Sequence, residues 1–461
     1  MLEPLLDREL EVRRLEEAWS SAQRGKAQLA ILWGRRRVGK TFLLAHFAAG
    51  KRAMFFAATQ QAEAVELRRL HESIARDLGT TSVELIGGGF TNWEAALRFL
   101  AASAREEPLL VILDEVPYLA RSTPGFASVV QSTWDHLTRG TRLMLVLTGS
   151  SVGTIESMLG AGGALRGRPT LSIRMDPIDL LGARAFLSGL PARQLMEAYA
   201  ACGGYPLHLK SWDARVSTQT NLLRLAGTAG GILVEDAEGI LNEELPDVGG
   251  YPRILAAIGR GRTRLSQIAN EADQRIEHPL SILQRAGFVR RSVPVGAPRR
   301  ARPLYELNDT YLAFWFTVLY ADLAHVAGGQ GRAVLARRKS EWERHLGWVF
   351  EEQARAHAAR LVGAGELPKD LVVGKWWAST GPPCEIDILG LRGSRAALLG
   401  EARWQARPLG MRDLRALQQK AARAPSPIDD PVYALWGRGG ADDEVRRAGG
   451  LSFDAEAVAS D

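Results

Sequence analysis

The chain has 461 residues, of which 46% are hydrophobic and 24% charged, a composition typical of a globular protein with two to four domains. Its only cysteines, Cys202 and Cys384, lie far apart, which excludes a disulfide framework and a zinc cluster and fits a reducing cytosol. The acidic N-terminus does not resemble a signal peptide, and no apolar run reaches the roughly 18 residues that a membrane span needs, so we expect a cytoplasmic protein without membrane contact. The net charge of +6 favours nucleic acid only if the charge is clustered.

The first motif is a phosphate-binding loop between a predicted strand and a predicted helix, in LAILWGRRRVGKTFLLAHF (29–47). It matches G-x-x-x-x-G-K-[ST] in full, so its backbone N–H groups would face a phosphate at the start of the helix. Lys40 would reach the terminal phosphates, and the Thr41 hydroxyl would ligate Mg²⁺. The predicted nucleotide-binding residues are Gly34, Arg35, Arg36, Arg37, Val38, Gly39, Lys40 and Thr41.

A second apolar strand, PLLVILDEVPYL (108–119), contains Asp114 and Glu115 at its end. After a phosphate loop, an aspartate in this position holds Mg²⁺, often through water, and the next glutamate polarises the attacking water. The alternative is a buried strand that ends in two solvated acids.

A third strand, LMLVLTGSS (143–151), ends beside Ser150, which either senses the γ-phosphate or caps the strand. The following loop, GALRGRPT, contains Arg166 and Arg168. Either arginine would stabilise transition-state charge if it reached the γ-phosphate of a neighbouring subunit. A solvated loop arginine explains the sequence equally well.

These motifs, followed by CGGYP (202–206), resemble in order the prokaryotic and archaeal AAA-type ATPases of the "archaeal ATPase" group, which are P-loop NTPases of the STAND-like/MNS clade. The opening segment DRELEVRRLEEAW (7–19) also resembles the leading segment of that family, which abuts the adenine. The resemblance covers roughly residues 5–240. It implies ATP and Mg²⁺ as ligands, a possible homo-oligomer, and Arg168 rather than Arg166 as the arginine finger. Whether the ATPase is a motor or a slow switch stays open.

From about residue 250, three short predicted helices precede two strands, the element order of a winged helix. The third helix would carry Gln274, Arg275 and Glu277 toward a groove. Between Glu277 and Glu306 there is no acidic residue, whereas six arginines occur. Such a basic wing suits DNA phosphates, although a winged helix that docks a protein is the alternative. The predicted DNA contacts are Arg290, Arg291, Arg299 and Arg300.

The C-terminal region combines a helix, LGWVFEEQARAHAARLV (346–362), with the strands CEIDILGL (384–391) and AALLGEARW (396–404). A helical Glu, a strand Asp and a Glu-x-basic strand follow one another in the PD-(D/E)xK nuclease fold. Carboxylates there hold Mg²⁺ or Mn²⁺ against the scissile phosphate, and the basic residue, normally Lys, orients water. The predicted nuclease residues are Glu351, Asp387, Glu401 and Arg403.

Two features decide whether this site is complete. Arg403 stands where Lys is usual, and arginine cannot replace lysine if proton transfer matters. The hairpin loop matters too: three residues would place Asp387 and Glu401 on one face, and two residues would place them on opposite faces. The region, roughly residues 305–430, also resembles the DUF234 domain, which usually follows this ATPase type and whose form suggests a nuclease relative.

The sequence therefore predicts an α/β multidomain protein: a P-loop NTPase parallel sheet with a helical lid, a winged helix and a C-terminal α/β restriction-endonuclease-like domain. The corresponding ranges are 1–175, 176–245, 246–310 and 311–461. The expected function is ATP binding and hydrolysis with DNA binding, and possible metal-dependent nuclease activity. The alternative is an ATP-dependent switch or transcriptional regulator whose nuclease-like domain is inactive.

Overall fold

A computed structural model describes residues 3–79, 89–137, 139–245, 249–297, 301–378, 382–425 and 427–460. The chain forms two compact units, each of which draws on two segments. The first unit comprises Met1–Pro177 and Ile240–Pro246, and the second comprises Ile178–Gly239 and Asp247–Asp461.

The first unit contains a five-stranded sheet and helices that pack against it. Its strands are β1 (Gln28–Trp33), β2 (Ala53–Ala57), β3 (Leu109–Asp114), β4 (Leu143–Gly149) and β5 (Leu171–Arg174). Its helices are α1 (Glu9–Gln23), α2 (Lys40–Ala48), α3 (Glu63–Leu78), α4 (Trp93–Ser103), α5 (Val116–Ser122), α6 (Phe126–Leu137) and α7 (Val152–Leu159). β3 and β4 are buried along their whole length, as expected for strands covered on both faces.

The strand order of this sheet brings the predicted motifs together. The order is β2-β3-β4-β1-β5, and every pair is parallel. β4 therefore lies between β1 and β3, and the carboxyl ends of the three strands are neighbours. Ligands bind at this edge of open parallel sheets. The phosphate loop, Asp114 and Ser150 all belong to this edge.

The second unit begins with helices. They are α8 (Leu180–Phe186), α9 (Ala192–Cys202), α10 (Pro206–Ser211), α11 (Thr218–Ala226) and α12 (Ile232–Glu244), and α12 belongs to the first unit from Ile240 onward. Next come α13 (Tyr251–Gly259), α14 (Leu265–Ala272), α15 (Glu277–Arg285) and an antiparallel hairpin of β6 (Val289–Ser292) and β7 (Leu304–Leu307). Three helices followed by a hairpin is the element order that the sequence predicted.

An aromatic helical segment leads into the C-terminal sheet. It comprises α16 (Thr310–Phe314), a π-helical turn (Trp315–Leu319), a 3₁₀ turn (Tyr320–Asp322), α17 (Leu323–Ala327), α18 (Gly331–Arg337) and the long α19 (Lys339–Ala364). The remaining elements are β8 (Val372–Trp377), β9 (Glu385–Arg392), β10 (Arg395–Arg403), α20 (Met411–Ala421), β11 (Pro427–Gly437), α21 (Asp443–Arg447), β12 (Leu451–Phe453) and α22 (Ala455–Val458). Across the described ranges, no helix has the length and apolar character of a membrane span.

The C-terminal sheet is separate from the first and mixed in direction. Its order is β12-β11-β10-β9-β8; β8, β9 and β10 are antiparallel neighbours, and β10, β11 and β12 run parallel. A parallel sheet and a separate mixed sheet confirm the predicted α/β multidomain class.

The β9–β10 hairpin has a short turn and an irregular register. Arg392 pairs with Arg395, so the turn has the two-residue form expected to separate the acids. A bulge between Ala396 and Leu398 then shifts the pairing by one residue, and Gly400 pairs with Ile388. The expectation that a two-residue turn would disperse the site was therefore wrong, because the bulge restores the register that brings its acids together.

Candidate functional site

The phosphate loop has the close backbone packing that its glycines permit. A Cβ atom on Gly34 would lie 2.0 Å from the Met175 carbonyl oxygen, so this position accepts no side chain. Gly39 precedes α2 with a φ of 96°, in the left-handed region that favours glycine. Lys40 is only 5% exposed, and its Nζ donates to the carbonyl oxygens of Gly34 at 2.7 Å and Arg35 at 3.0 Å. The ammonium group thus lies inside the curl of the loop, where an anion would bind.

Arg8, the residue before α1, hydrogen-bonds to the backbone of the phosphate loop. Its buried guanidinium donates to the carbonyl oxygens of Val38 at 3.3 Å and Asp176 at 2.9 Å. The sequence pointed to the segment around Arg8 only through a family resemblance. The role of Arg8 depends on tertiary contacts that the sequence does not reveal.

Thr41, at the end of the phosphate loop, is hydrogen-bonded to Asp114. The Thr41 hydroxyl donates to Oδ2 of Asp114 at 2.9 Å, and Oδ1 accepts the Glu115 N–H at 3.0 Å. Burial raises the pKa of Asp114 above its usual range. A hydroxyl beside a desolvated carboxylate is an oxygen donor set that fits Mg²⁺.

Glu115 adopts a left-handed backbone conformation, with a φ of 58°, directly after β3. Such a conformation is uncommon for residues other than glycine and often occurs at functional sites. Its Oε2 accepts hydrogen bonds from the Ser150 hydroxyl at 2.8 Å and the Ser150 N–H at 3.1 Å. The structure thus brings Ser150 and Glu115 together, while a γ-phosphate sensor role for Ser150 stays a prediction.

Two carboxylates that the sequence did not single out lie beside the loop, at the end of α12. Glu243 forms an ion pair with Arg36. Glu244 accepts the Val152 N–H at 3.1 Å, at the first residue of α7. Burial raises the pKa of Glu244 to about 7. Nothing in the local sequence around these two residues resembles a binding motif, so only the fold reveals their position.

The raised pKa of Glu244 predicts a pH-dependent contribution to stability. Since its folded-state pKa exceeds the unfolded value, this group favours folding at low pH, and that contribution is lost as pH rises from about 4.5 through about 7. In Glu244→Gln the contribution no longer depends on pH. Relative to the wild type, the free energy of unfolding of the variant should rise by roughly 1–3 kcal/mol between pH 5 and pH 8. Urea unfolding of both proteins at these two pH values measures it, and a constant difference would contradict the assignment.

The predicted arginine finger lies on the loop before β5. Arg168 forms a two-point ion pair with Asp135 of α6, with Nε and Nη2 at 3.1 Å and 2.8 Å. Its guanidinium lowers the pKa of Asp135. The pair shows where Arg168 lies within one chain, and its action across a subunit boundary stays a prediction.

The basic segment, which is the acid-free stretch between Glu277 and Glu306, contains an arginine whose partners lie within the fold. Arg290 donates to Glu306 at 3.0 Å and to Glu352 at 2.6 Å, and its guanidinium lies 5.9 Å from the Trp348 ring centre. These contacts hold Arg290 within the packing of the second unit, and its contact with DNA stays a prediction. Arg291 is exposed, and so is Arg302, another arginine of the segment. The other two predicted DNA contacts, Arg299 and Arg300, lie outside the described residues.

The third helix of this region is shorter than predicted. α15 begins at Glu277, so Gln274 and Arg275 precede it instead of lying on its surface. The Gln274 amide donates to the Gly250 carbonyl oxygen at 2.7 Å. Of the three side chains expected on the helix, only that of Glu277 lies there, and it is exposed.

The C-terminal acids cluster where α19 meets β9. Oxygen atoms of Glu351, Glu385 and Asp387 lie within 4.8 Å of one another, the spacing of a metal-binding group. Burial, and next the negative charge of the neighbouring carboxylates, raises the pKa of both Glu351 and Asp387 above the usual range. Lys375 of β8 forms an ion pair with Glu385. Hard carboxylate oxygens at this spacing fit Mg²⁺ or Mn²⁺.

Glu401 lies beside this cluster on β10. Asp387 Oδ2 accepts the Ala402 N–H at 3.0 Å, which fixes the two acidic residues on adjacent strands. The Glu401 oxygens are 2.8 Å from Arg403 Nη2 and 2.5 Å from Lys420 Nζ of α20. Glu401 is therefore paired with two cations. In the group of oxygens spaced to bind a metal, Glu385 occupies the position that we expected for Glu401. Lys420 was missed because it lies well outside the Glu-x-basic motif.

Comparison with known proteins identifies two regions of the chain. Residues 5–211 match the model of an ATPase domain predominantly from Archaea, and residues 315–423 match DUF234, described as archaeal and bacterial proteins of unknown function. These matches confirm both predicted resemblances. An uncharacterized protein of Methanocaldococcus jannaschii is 24% identical over 452 residues, which cover 94% of this chain and 95% of that protein.

The chain also matches solved protein structures at low sequence identity. The Walker-type ATPase of Pyrococcus abyssi has a TM-score of 0.49 at 22% identity, over 68% of this chain and 96% of that one. The ORC2 protein of Aeropyrum pernix has a TM-score of 0.40 at 14% identity, over 73% and 96%.

Proposed function

We propose that this chain, which carries an archaeal-type ATPase domain followed by a DUF234 domain, binds and hydrolyses ATP and acts on DNA. One observation carries the ATPase part of the proposal. The buried Lys40 ammonium, the Thr41–Asp114 pair and Glu115 lie at neighbouring strand ends of one parallel sheet. Each supplies a different requirement of phosphoryl transfer.

The residues of the site divide the chemistry as follows. The loop N–H groups and Lys40 bind the phosphates and exclude water from them. Thr41 and Asp114 would hold Mg²⁺, which when bound neutralises charge on the phosphate oxygens. Glu115 orients the attacking water and accepts its proton once its carboxylate leaves the Ser150 hydroxyl. Ser150 would then be free to sense the γ-phosphate, and Arg168 of a neighbouring subunit would stabilise transition-state charge in a homo-oligomer.

Phosphate release from ATP by the purified full-length chain tests this proposal. Mg²⁺-dependent release over many turnovers supports an ATPase. Tight ATP binding without release would instead support an ATP-dependent switch. The sedimentation coefficient with and without nucleotide reports whether an oligomer forms.

A second candidate activity is metal-dependent cleavage of DNA by the C-terminal domain. The observation that favours it is the cluster of Glu351, Glu385 and Asp387 oxygens. These residues would hold Mg²⁺ or Mn²⁺, which when bound neutralises the scissile phosphate. Glu401 would position Lys420 and Arg403 beside that phosphate.

Lys420 bears on the fact that Arg403 stands where the nuclease motif usually has lysine. Arginine keeps its charge and cannot exchange a proton, which on its own favours the alternative of an inactive nuclease-like domain in a switch or transcriptional regulator. A lysine ammonium 2.5 Å from Glu401 supplies the group that Arg403 lacks. We therefore favour an active site in which a helix provides the lysine.

DNA is the partner that we propose for the basic segment, which lies between Glu277 and Glu306. Support comes from the exposed arginines of this acid-free stretch, Arg285, Arg291 and Arg302. Guanidinium groups bind DNA phosphates without reading sequence. A protein partner docking on the same segment is the alternative.

Substitution of these exposed arginines distinguishes the two partners. We expect Arg291→Ala and Arg302→Ala together to weaken duplex binding about tenfold at 0.1 M salt and to reduce the salt slope by about 2. Arg290→Ala should instead lower stability, since it removes the cation that bridges Glu306 and Glu352 and leaves Glu352 with Arg355 alone. Fluorescence anisotropy across a salt series measures the affinity, and an unchanged slope would favour protein docking.

A further inference from the structure

We propose that the Glu243 carboxylate competes with the γ-phosphate of ATP for Arg36, and that this competition sets how strongly the site distinguishes ATP from ADP. The inference rests on the proposed nucleotide function and adds a specificity-determining residue to it. It assigns a role to the end of α12, which no motif marked.

The Arg36–Glu243 pair is placed to act on a nucleotide. Arg36 belongs to the loop that encloses the Lys40 ammonium, and its side chain is 45% exposed. Glu243 is more buried, with a side chain 19% exposed. One of its oxygens contacts Arg36, and the other, Oε2, is buried without a hydrogen-bond partner among the described residues.

Because Glu243 Oε2 has no hydrogen-bond partner among the described residues, loss of the Arg36 contact would be costly for this partly buried carboxylate. Glu243 is also near the catalytic acid. Burial raises the pKa of Glu243, and the negative charge of Glu115 raises it further. Adding a γ-phosphate would bring a third anionic group to these two carboxylates.

Carboxylates and phosphates are alternative partners for one guanidinium, because both accept two parallel N–H···O bonds from it. ATP would draw Arg36 toward its third phosphate and leave the Glu243 charge uncompensated. ADP lacks that phosphate, so the ion pair would persist. The Arg36–Glu243 pair therefore penalises ATP more than ADP.

Glu244 provides the matched control. It is the adjacent residue, and its negative charge also acts on Lys40. Its carboxylate accepts the Val152 N–H and does not pair with Arg36. A general effect of negative charge near the phosphates would appear in both variants, whereas competition for Arg36 would appear only when Glu243 changes.

The test uses calorimetric binding of ADP and of a non-hydrolysable ATP analogue to the full-length chain, with Mg²⁺ at pH 8. We expect Glu243→Gln to tighten the ATP analogue roughly three- to tenfold and ADP less than about twofold. Glu244→Gln should change both nucleotides equally. In an Arg36→Ala background, Glu243→Gln should have no further effect, which is the signature of coupled residues.

Equal effects of Glu243→Gln on the two nucleotides would overturn the proposal, as would an effect that persists without Arg36. Thermal unfolding of each variant checks that it folds. A folded wild type and a folded Glu243→Gln that both bind neither nucleotide would refute the nucleotide function itself, and this inference with it.

Discussion

Lys40→Ala is expected to lower the rate of ATP turnover by about 10²–10³. The Lys40 ammonium is buried inside the phosphate loop and donates hydrogen bonds to carbonyl oxygens of the loop. A bound phosphate would take the place of these oxygens as the acceptor. Burial also lowers the pKa of Lys40, while the charges of Glu115 and Asp114 oppose that shift. Removing the ammonium takes away a donor positioned before the reaction begins, and alanine supplies no substitute.

Lys26→Ala is the matched control, because Lys26 is an exposed lysine of the same unit, just before β1. Its turnover should equal that of the wild type. Steady-state phosphate release with saturating ATP measures both variants. Turnover by Lys40→Ala within a factor of two of the wild type would place the reaction elsewhere.

Glu401→Ala is expected to lower metal-dependent cleavage of supercoiled plasmid by about 10² or more. Glu401 is 6% exposed and pairs with Lys420 and Arg403, so its loss leaves both cations without the group that positions them. Arg403→Lys should retain cleavage, since Lys420 already supplies an ammonium at Glu401. Lys420→Ala should lose it.

Glu456→Ala is the control for this series, because Glu456 forms an exposed ion pair with Arg184 in the same unit. Nicking assays with Mn²⁺ or Mg²⁺, with and without ATP, measure all four variants. If Arg403→Lys cuts where the wild type does not, Lys420 fails to replace the usual lysine. A silent wild type together with a silent Arg403→Lys would favour the switch function.

The phosphate-loop site could be predicted from the sequence because its motifs are short and contiguous. The residues from Gly34 to Thr41 encode their own backbone path, and Asp114 and Glu115 follow an apolar strand that leaves little choice of position. The order of the strands in the sheet, β2-β3-β4-β1-β5, was not predicted and comes from the structure.

The C-terminal site could be predicted only in part, because its geometry depends on pairing between strands. The residue types were readable, but the bulge between Ala396 and Leu398 was not, and without it the two-residue turn would have separated Asp387 from Glu401. Lys420 approaches from a helix well outside the motif, so spacing offered no signal for it.

Charge clustering was also an incomplete guide. The absence of acids between Glu277 and Glu306 led us to include Arg290 among the predicted DNA contacts, yet Arg290 is held by Glu306 and Glu352. Glu352 comes from α19, distant in sequence. The partner of a surface-like arginine cannot be inferred from its own segment.

The central claim is that the phosphate loop hydrolyses ATP, and the most direct measurement is phosphate released per molecule of full-length chain, with Mg²⁺ and with a chelator. We predict release well beyond one phosphate per chain with Mg²⁺, none with the chelator, and none above background from Lys40→Ala. Release that is equal in the wild type and Lys40→Ala, or no release from a wild type that binds ATP, would contradict the claim.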